Sequence, residues 1–323
     1  MHKSIGLIVN PMAGRDIRRL VAHASLQSQP EKALTARRLI TGIRAVPGVS
    51  VLMPNDRQGF FAWLADDLSQ PESIKLVPPP ANTWEDSTVL WVNMLVQAGA
   101  DALIVVGGDG TQRNVAQAHP LIPVLPIAGG TNNVACYLGD QTAAGLAVAR
   151  FLREGLDRQE AGQTAKILHV TLPDGQEEMA LVDVALTRQA YTGALAVWDP
   201  SDVLALVMAR ADALRPGLSN VGGYNHPVGF ADDFGWMFKL GRGGPAIPSV
   251  LAPGLVARLR VREQSRIAFD EPMHLKANRQ SRSLSLDGER TVVLRSGQSA
   301  KVVLRRDGPL TLDPRRIFAA LCR

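Results

Sequence analysis

The sequence has little cysteine, few aromatic residues and no long apolar run. Its 323 residues include two cysteines, and aromatic residues make up 5% of the chain. Neither Cys136 nor Cys322 belongs to a CxxC pair, so the spacing of a zinc site or a disulfide framework is absent. This pattern favours a reducing, cytoplasmic location. No apolar stretch reaches the roughly 18 residues of a membrane span, which predicts no integral membrane association.

The charge pattern also lacks a dense basic stripe. The formal net charge is +5, and the basic residues are scattered along the chain with arginine in excess over lysine. Duplex nucleic acid would require a concentrated basic surface, so we expect no nucleic-acid partner. A mild excess of arginine is more typical of a protein that binds small anionic substrates such as nucleotides.

Two patterns of secondary structure divide the chain. Apolar strand-like segments at 5–11, 102–108 and 121–128 are separated by helix-like segments, which predicts a parallel sheet covered on both faces. After about residue 155 the segments become short strands joined at turns, such as the Pro-Asp-Gly turn within 165–187, which predicts antiparallel sheets. The Gly- and Pro-rich stretch 224–254 shows little regular structure in its sequence.

The stretch "IVVGGDGTQRNVAQ" (104–117) places one aspartate among three glycines. Asp109 follows a predicted buried strand, at the edge of the sheet where open α/β folds bind ligands. Glycines allow a backbone to approach a phosphate closely, and a carboxylate there could hold a metal or accept a proton from a hydroxyl. The run is neither a dinucleotide fingerprint, because Arg113 replaces the third glycine, nor a P-loop. The alternative is a simple Asp-Gly turn.

Two further turns end neighbouring predicted strands. They are "NPMAGR" (10–15) and "AGGTNNVA" (128–135). Each alone could simply begin a helix, because Asn and Thr cap helices, but three such turns favour a phosphate or nucleotide site. Arg15 and Arg113 either meet phosphates or are solvated surface charges. The candidate nucleotide-binding residues are Asn10, Gly14, Gly107, Gly108, Gly110, Thr111, Gly129, Gly130, Thr131, Asn132 and Asn133.

These motifs resemble a known kinase superfamily. "GGDGT" (107–111) resembles the motif shared by ATP-dependent NAD kinases, diacylglycerol kinases and sphingosine kinases. "NPMAG" (10–14) resembles the opening nucleotide-binding turn of that superfamily, and "GGTNNV" (129–134) resembles a turn of its lipid-kinase branch. "LSLDGER" (284–290) resembles the DGE segment of the second domain. The chain is most similar to the ATP-NAD kinase-like proteins of AcoX type, whose pattern also resembles segments 182–200 and 251–256.

The resemblance implies a fold, a donor and a division of roles. We expect an α/β fold, with a Rossmann-like nucleotide-binding domain over residues 1–140 and an antiparallel β-sandwich-like substrate domain over 141–306. Residues 307–323 would return to the first domain. The resemblance further implies ATP with magnesium, Asp109 as the catalytic carboxylate, directly or through magnesium, and Asp183 and Asp287 at the acceptor. It also implies self-association into a homo-oligomer.

The departures from the family pattern leave the acceptor open. Val182 stands where NAD kinases have the Asn of an Asn-Glu pair, Asp183 stands for the Glu, and no TPTGSTAY-like run is present. Val134 stands where lipid kinases have an Asp. The leading hypothesis is phosphorylation of NAD to NADP, or of a related small hydroxyl compound. The alternatives are a lipid kinase and a non-catalytic nucleotide-binding regulator linked to acetoin catabolism. Asp287 could equally be a plain hairpin turn residue.

Overall fold

A computed structural model describes residues 2–14, 23, 28–66, 74–81, 87–189 and 199–323. Within them the strands in chain order are β1 (Lys3–Val9), β2 (Val49–Pro54), β3 (Ile74–Val77), β4 (Ala102–Gly107), β5 (Val124–Ala128), β6 (Gly162–Thr164), β7 (Ile167–Thr171), β8 (Glu177–Ala180), β9 (Asp183–Thr187), β10 (Val203–Met208), β11 (Gly235–Leu240), β12 (Ala246–Ala252), β13 (Leu255–Ile267), β14 (Pro272–Lys276), β15 (Arg282–Leu286), β16 (Arg290–Leu294), β17 (Ser299–Arg305) and β18 (Leu310–Leu312).

The helices of the same residues are α1 (Gln29–Arg44), α2 (Phe60–Asp66), α3 (Thr88–Gln97), α4 (Asp109–Gln117), α5 (Gln141–Glu154), α6 (Arg158–Ala161), α7 (Asn220–Gly223) and α8 (Pro314–Leu321). A 3-10 turn covers Pro200–Asp202. Segment 190–198, which includes part of the resemblance over 182–200, and Arg15 lie outside the described residues.

The first sheet has the strand order β3-β2-β1-β4-β5-β18-β6. Strands β1 to β5 pair in parallel, and every residue of β4 is buried. A strand buried on both faces needs an unbroken apolar run rather than an alternating one, which is the pattern of "ALIVVG". The carboxyl ends of β1, β4 and β5 therefore meet at one edge of the sheet, as the sequence predicts.

Helices α1 and α5 cover this sheet together and cross at very short distance. Ser28 and Glu31 form a capping box at the start of α1, and Asp140 caps α5. A Cβ atom on Gly42 would collide with the backbone of α5, and one on Gly145 would collide with the backbone of α1. The glycines therefore permit the crossing, and α5 packs with the first sheet. The domain limits predicted at residues 140 and 306 stay predictions.

The second half contains two antiparallel sheets. Their strand orders are β12-β13-β11-β10-β9-β15-β16 and β14-β17-β7-β8. Apolar residues from both sheets, such as Val184 of β9 and Val302 of β17, share one buried cluster, which makes the two sheets a sandwich. The predicted fold class, a parallel α/β domain followed by antiparallel sheets, is confirmed.

One expectation about the second half is wrong. Stretch 224–254 contains two regular strands, β11 and β12, although its sequence shows little regular structure. Strand β11 pairs with β10 and β13 on its two sides, and Phe238 at its centre is fully buried. Strand β11 is stabilised by pairing with the long strand β13, and its local sequence gives no indication of this pairing.

The chain returns to the first sheet at its end. Strand β18 pairs in parallel with β5 and antiparallel with β6, and α8 packs against α5. Asp313 caps α8 by accepting a hydrogen bond from the amide of Arg315. Among the described residues, no helix is both long enough and apolar enough to cross a membrane.

Candidate functional site

Three glycine-containing turns meet at the carboxyl edge of the first sheet; we call residues 10–14, 107–111 and 129–133 together the turn junction. Asn10 Nδ2 donates to Thr111 Oγ1 at 2.8 Å, which joins the first two turns. The amide of Asp109 donates to the carbonyl oxygen of Asn132 at 3.0 Å, which joins the second and third. The sequence therefore predicted correctly that these segments lie together.

The glycines of the turn junction permit contact between the turns themselves. A Cβ atom on Gly108 would lie 2.8 Å from the Asn132 carbonyl oxygen and 3.2 Å from Gly130 Cα. A Cβ atom on Gly130 would lie 2.7 Å from the amide nitrogen of Gly108. The space that a Gly108 side chain would need is therefore already occupied by the backbone of the third turn.

A buried lysine shapes the first turn. Lys32 of α1 is 1% exposed, and its Nζ donates to the carbonyl oxygens of Pro11 at 2.6 Å and Ala13 at 2.9 Å. Gly14 ends the turn with φ of 77°, a conformation that glycine adopts without strain. The sequence reasoning missed Lys32, although a signal exists: the lysine lies at helical spacing from the buried Ala36.

The third turn uses its own polar side chain. Asn133 Oδ1 accepts hydrogen bonds from the amides of Gly129 at 3.2 Å and Gly130 at 3.0 Å, and Nδ2 donates to the Gly130 carbonyl at 2.7 Å. These two amides are therefore engaged inside the turn. Thr131, at the tip of the turn, is half-buried, and Asn132 is buried.

Asp109 is the first residue of α4 and is 2% exposed. Its Oδ1 accepts a hydrogen bond from the amide of Ala135 at 2.8 Å, and its Oδ2 accepts one from the amide of Val134 at 3.1 Å. The carboxylate thus fastens the chain that leaves the third turn to the start of α4.

Asp287 plays a similar part in the second half. It lies in the turn between β15 and β16 with φ of 51°. Its carboxylate accepts hydrogen bonds from the amides of Leu181, Val182 and Asp183, at distances from 2.8 to 3.2 Å. Burial raises the pKa of Asp287 to about 7, against the opposing effects of Arg113 and these amides. Asp183 is itself buried, and its carbonyl oxygen accepts from the Asp287 amide at 3.0 Å.

Glu289 differs from both aspartates because it is exposed. A Cβ atom on Gly110 would collide with the Glu289 carboxylate, so this side chain lies directly over the first turn of α4. In the sequence, the "DGE" segment pointed to Asp287 and not to Glu289. The sequence does contain a signal for it, because Glu289 is the Glu of the "DGE" segment.

Two arginines are buried beside these carboxylates. Arg113 and Arg210 are each 8% exposed. Nε and Nη1 of Arg113 and Nε of Arg210 have no hydrogen-bond partner among the described residues. Burial lowers the pKa of Arg210 to about 10, while the charge of Asp109 opposes that shift. The burial of Arg113 rules out the solvated surface charge that its sequence allowed, and nothing in the local sequence around Arg210 pointed to it.

A cleft of about 730 Å³ opens beside the turn junction. One wall is the segment that follows the third turn, from Val134 to Gly139, and the other comes from the second half of the chain, around Arg210 and Phe230. The start of α8 closes one end. Val134 and Ala135, whose amides bond to Asp109, belong to the wall of this cleft.

The described residues contain no group of three or more His, Cys, Asp and Glu side chains that could hold a metal ion. Magnesium is commonly held by one or two carboxylates together with substrate phosphates. Both oxygens of Asp109 accept backbone hydrogen bonds, so Asp109 fits direct ligation poorly. The exposed Glu289 fits a nucleotide-bound magnesium ion better.

Comparisons with known proteins agree with this architecture. The ATP-NAD kinase N-terminal domain matches residues 5–154, and the acetoin catabolism protein X C-terminal domain matches residues 166–307. Acetoin catabolism protein X of Cupriavidus necator is 29% identical, over 96% of this chain and 89% of that protein.

A solved structure shares the fold. Yeast NADH kinase, crystallised with NADH, aligns with a TM-score of 0.58 at 15% identity, over 100% of this chain and 87% of its own. Its likeness concerns the fold, whereas the two domain matches cover both halves of the sequence in order. The N-terminal half of the chain is therefore similar to ATP-NAD kinases and the C-terminal half to acetoin catabolism protein X, the domain order of the ATP-NAD kinase-like proteins of AcoX type.

Proposed function

We propose that this protein is a phosphotransferase that binds ATP at the turn junction and phosphorylates a hydroxyl group of NAD or of a related small compound. One observation carries the proposal: three turns converge at the carboxyl ends of β1, β4 and β5, joined by the bond from Asn10 to Thr111. Open α/β sheets bind their ligands at this edge.

The start of α4 is suited to phosphate groups. No side chain of the described residues caps this helix. The amides of its first turn and the positive end of its dipole favour an anion. Gly110, without a side chain, leaves space that Glu289 reaches from the opposite side. The candidate residues of the third turn contribute to phosphate binding indirectly, because Asn133 fixes the shape of the turn beside α4.

In the reaction, the acceptor hydroxyl oxygen attacks the terminal phosphorus of ATP, the bond to the ADP oxygen breaks, and the hydroxyl proton passes to a carboxylate. A general base needs an oxygen within hydrogen-bond reach of that hydroxyl. Glu289 is exposed and lies over the first turn of α4, whereas both oxygens of Asp109 already accept hydrogen bonds from the amides of Val134 and Ala135. Magnesium bound to ATP would neutralise part of the phosphate charge.

A second candidate is a nucleotide-binding regulator without catalytic activity. The saturated carboxylate of Asp109 favours it, because that residue has a complete structural role without any chemistry. No feature of the described residues favours a lipid acceptor, and that alternative stays a prediction.

Calorimetric titration with ATP, followed by an ADP-release assay with NAD, small alcohols and diacylglycerol, tests the proposal. Binding with turnover of NAD or a small alcohol supports the kinase. Binding without turnover of any acceptor supports the regulator. A protein that does not bind ATP contradicts both, and turnover of diacylglycerol alone contradicts the small acceptor.

A further inference from the structure

The cleft beside the turn junction is lined by an unusual number of cationic side chains; we call it the arginine cleft, after Arg210, Arg215, Arg315 and Arg316. Two acidic residues, Asp212 and Asp313, also line it. Asp313 already accepts a hydrogen bond from the backbone at the start of α8. The cleft therefore carries an excess of positive charge, which favours an anionic occupant.

Arg210 is the most informative of these residues. It is more than nine-tenths buried, and its Nε has no hydrogen-bond partner among the described residues. The carboxylates of Asp109 and Asp287 interact electrostatically with Arg210. Their oxygens accept hydrogen bonds from backbone amides rather than from the guanidinium group. A buried cation whose donors are unmatched is costly, and such groups in native proteins call for an explanation.

Arg215 shows the same deficit at the same cleft. Its buried Nη1 has no hydrogen-bond partner in the part of the chain that the structure describes, although its Nε lies 3.5 Å from Asp212 Oδ2. By contrast, Arg316 donates to the carbonyl oxygens of Gln159 and Glu160 and is committed to holding α8 in place. Among the described residues, Arg210 and Arg215 are thus the arginines of the cleft that have a buried nitrogen left for a ligand, whereas Arg315 is exposed.

The wall that supports Arg210 is rigidly built. The Arg210 guanidinium lies over the Phe230 ring, 4.4 Å from its centre. Lys166 Nζ holds the Phe230 loop by donating to Gly229 O at 3.1 Å and Phe234 O at 3.0 Å. Arg306 donates to the Phe230 carbonyl at 3.1 Å. Because these bonds hold the backbone of the loop that carries the Phe230 ring, they favour a guanidinium group that is positioned before a ligand binds.

We propose that the arginine cleft binds the acceptor, a small hydroxy compound bearing a phosphate or carboxylate group that is held by the guanidinium groups of Arg210 and Arg215. A guanidinium presents paired N–H donors that match these planar or multi-oxygen anions. The inference rests on the proposed kinase function, since it assigns the acceptor of that reaction. The wall shared with the amides around Asp109 places such a compound next to the turn junction.

The test measures acceptor binding separately from catalysis. Parent protein is titrated by calorimetry, without ATP, with NAD, glycerol 3-phosphate and malate, and with the uncharged counterparts adenosine and glycerol. We expect at least one acidic compound to bind and its uncharged counterpart to bind at least tenfold more weakly. NAD or glycerol 3-phosphate would identify a phosphate group as the anchor, and malate would identify a carboxylate.

The variants Arg210→Lys and Arg215→Gln are then compared with Arg150→Gln, which removes a charge from the exposed face of α5. Each cleft variant should weaken the acidic ligand about 10- to 100-fold, as expected for the loss of charge-assisted hydrogen bonds. Arg150→Gln should not. Arg210→Lys keeps the buried positive charge. If Arg210→Lys folds poorly, Arg215→Gln still tests anion binding in the cleft.

Two results would overturn the cleft assignment while leaving the kinase proposal intact. In the first, the parent protein binds ATP and hydrolyses it or transfers its terminal phosphate, yet it binds none of the acidic compounds. The other is an acidic ligand whose affinity is the same in parent, Arg210→Lys and Arg215→Gln proteins. Loss of ATP binding in the parent itself would instead refute the proposed function, and the calorimetric ATP titration reports that separately.

Discussion

The buried carboxylates of Asp109, in the turn junction, and Asp287, in the turn between β15 and β16, accept several hydrogen bonds, whereas Arg210 and Arg215 of the arginine cleft each have a buried nitrogen without a partner among the described residues. Asp109 and Asp287 each bind amides from distant parts of the chain, so each has a full structural explanation. Arg210 has a neighbouring ring and opposite charges, but its buried Nε has no acceptor among the described residues. Burial alone therefore does not mark a functional residue; unmet hydrogen-bonding capacity is the more informative property.

We expect the exposed carboxylate of Glu289, rather than the amide-bound carboxylate of Asp109, to accept the proton. Glu289→Gln should lower phosphoryl transfer by roughly 100- to 10,000-fold with little change in melting temperature. The measurement is ADP release with whichever acceptor is active, beside thermal unfolding of the same preparation.

Asp109→Asn is the matched variant. It replaces Oδ2 by an N–H group facing the Val134 amide, so we expect a loss of about 1–3 kcal/mol of unfolding free energy. Turnover should fall only as far as the fold is loosened. If Asp109→Asn abolishes turnover with an unchanged melting temperature and Glu289→Gln does not, the proton acceptor is Asp109 and the comparison fails.

Removing Asp287 should destabilise the protein strongly. Asp287→Ala leaves the amides of Leu181, Val182 and Asp183 without their acceptor and puts alanine at a positive φ. We expect about 3–5 kcal/mol less unfolding free energy. Denaturant unfolding measures this. Asp287→Asn, which keeps one acceptor oxygen and tolerates the turn, should cost markedly less, and equal losses would contradict the role of these bonds.

Tight packing of the turns can be tested at Gly108. Gly108→Ala places a methyl group 2.8 Å from the Asn132 carbonyl oxygen, which should cost about 1–3 kcal/mol and weaken ATP binding. Gly229→Ala is the control, because its added Cβ would make only an ordinary contact at 3.5 Å with Asp232. The measurements are the unfolding free energy and the ATP affinity of both variants. A Gly108→Ala protein as stable as the control would contradict the tight packing of the turns.

The smallest expected effect is on pH dependence. Because burial raises the folded-state pKa of Asp287 from 3.8 to about 7, the folded protein holds a proton that the unfolded chain has released between those values. The stability from this group is present below pH 4 and is lost as the pH rises through 7. Unfolding free energies across pH 4–8 should therefore decline less in Asp287→Asn than in the parent, and parallel curves would place the titration elsewhere.

Local patterns explain how much of the site the sequence could predict. The run 102–106 and the glycines after it predict a buried strand and a turn because strand burial and turn conformation depend on adjacent residues. Gly108 and Asn133 therefore lie in turns that the sequence predicts, and their role in nucleotide binding stays a prediction. Their partners could not be inferred locally, because Asp109 binds amides 25 and 26 residues away and Asp287 binds amides more than 100 residues away.

The sequence by itself determined the parallel α/β sheet, the positions of its three turns and the change to antiparallel strands, since these follow from the period of apolar residues and from turn chemistry. Only the tertiary structure decided which polar groups are satisfied. Lys32, Arg210 and Glu289 look like ordinary surface charges in the sequence. Their burial, partners or exposure arise when distant segments meet, and hydrogen-bond satisfaction is a property of that meeting rather than of any one segment.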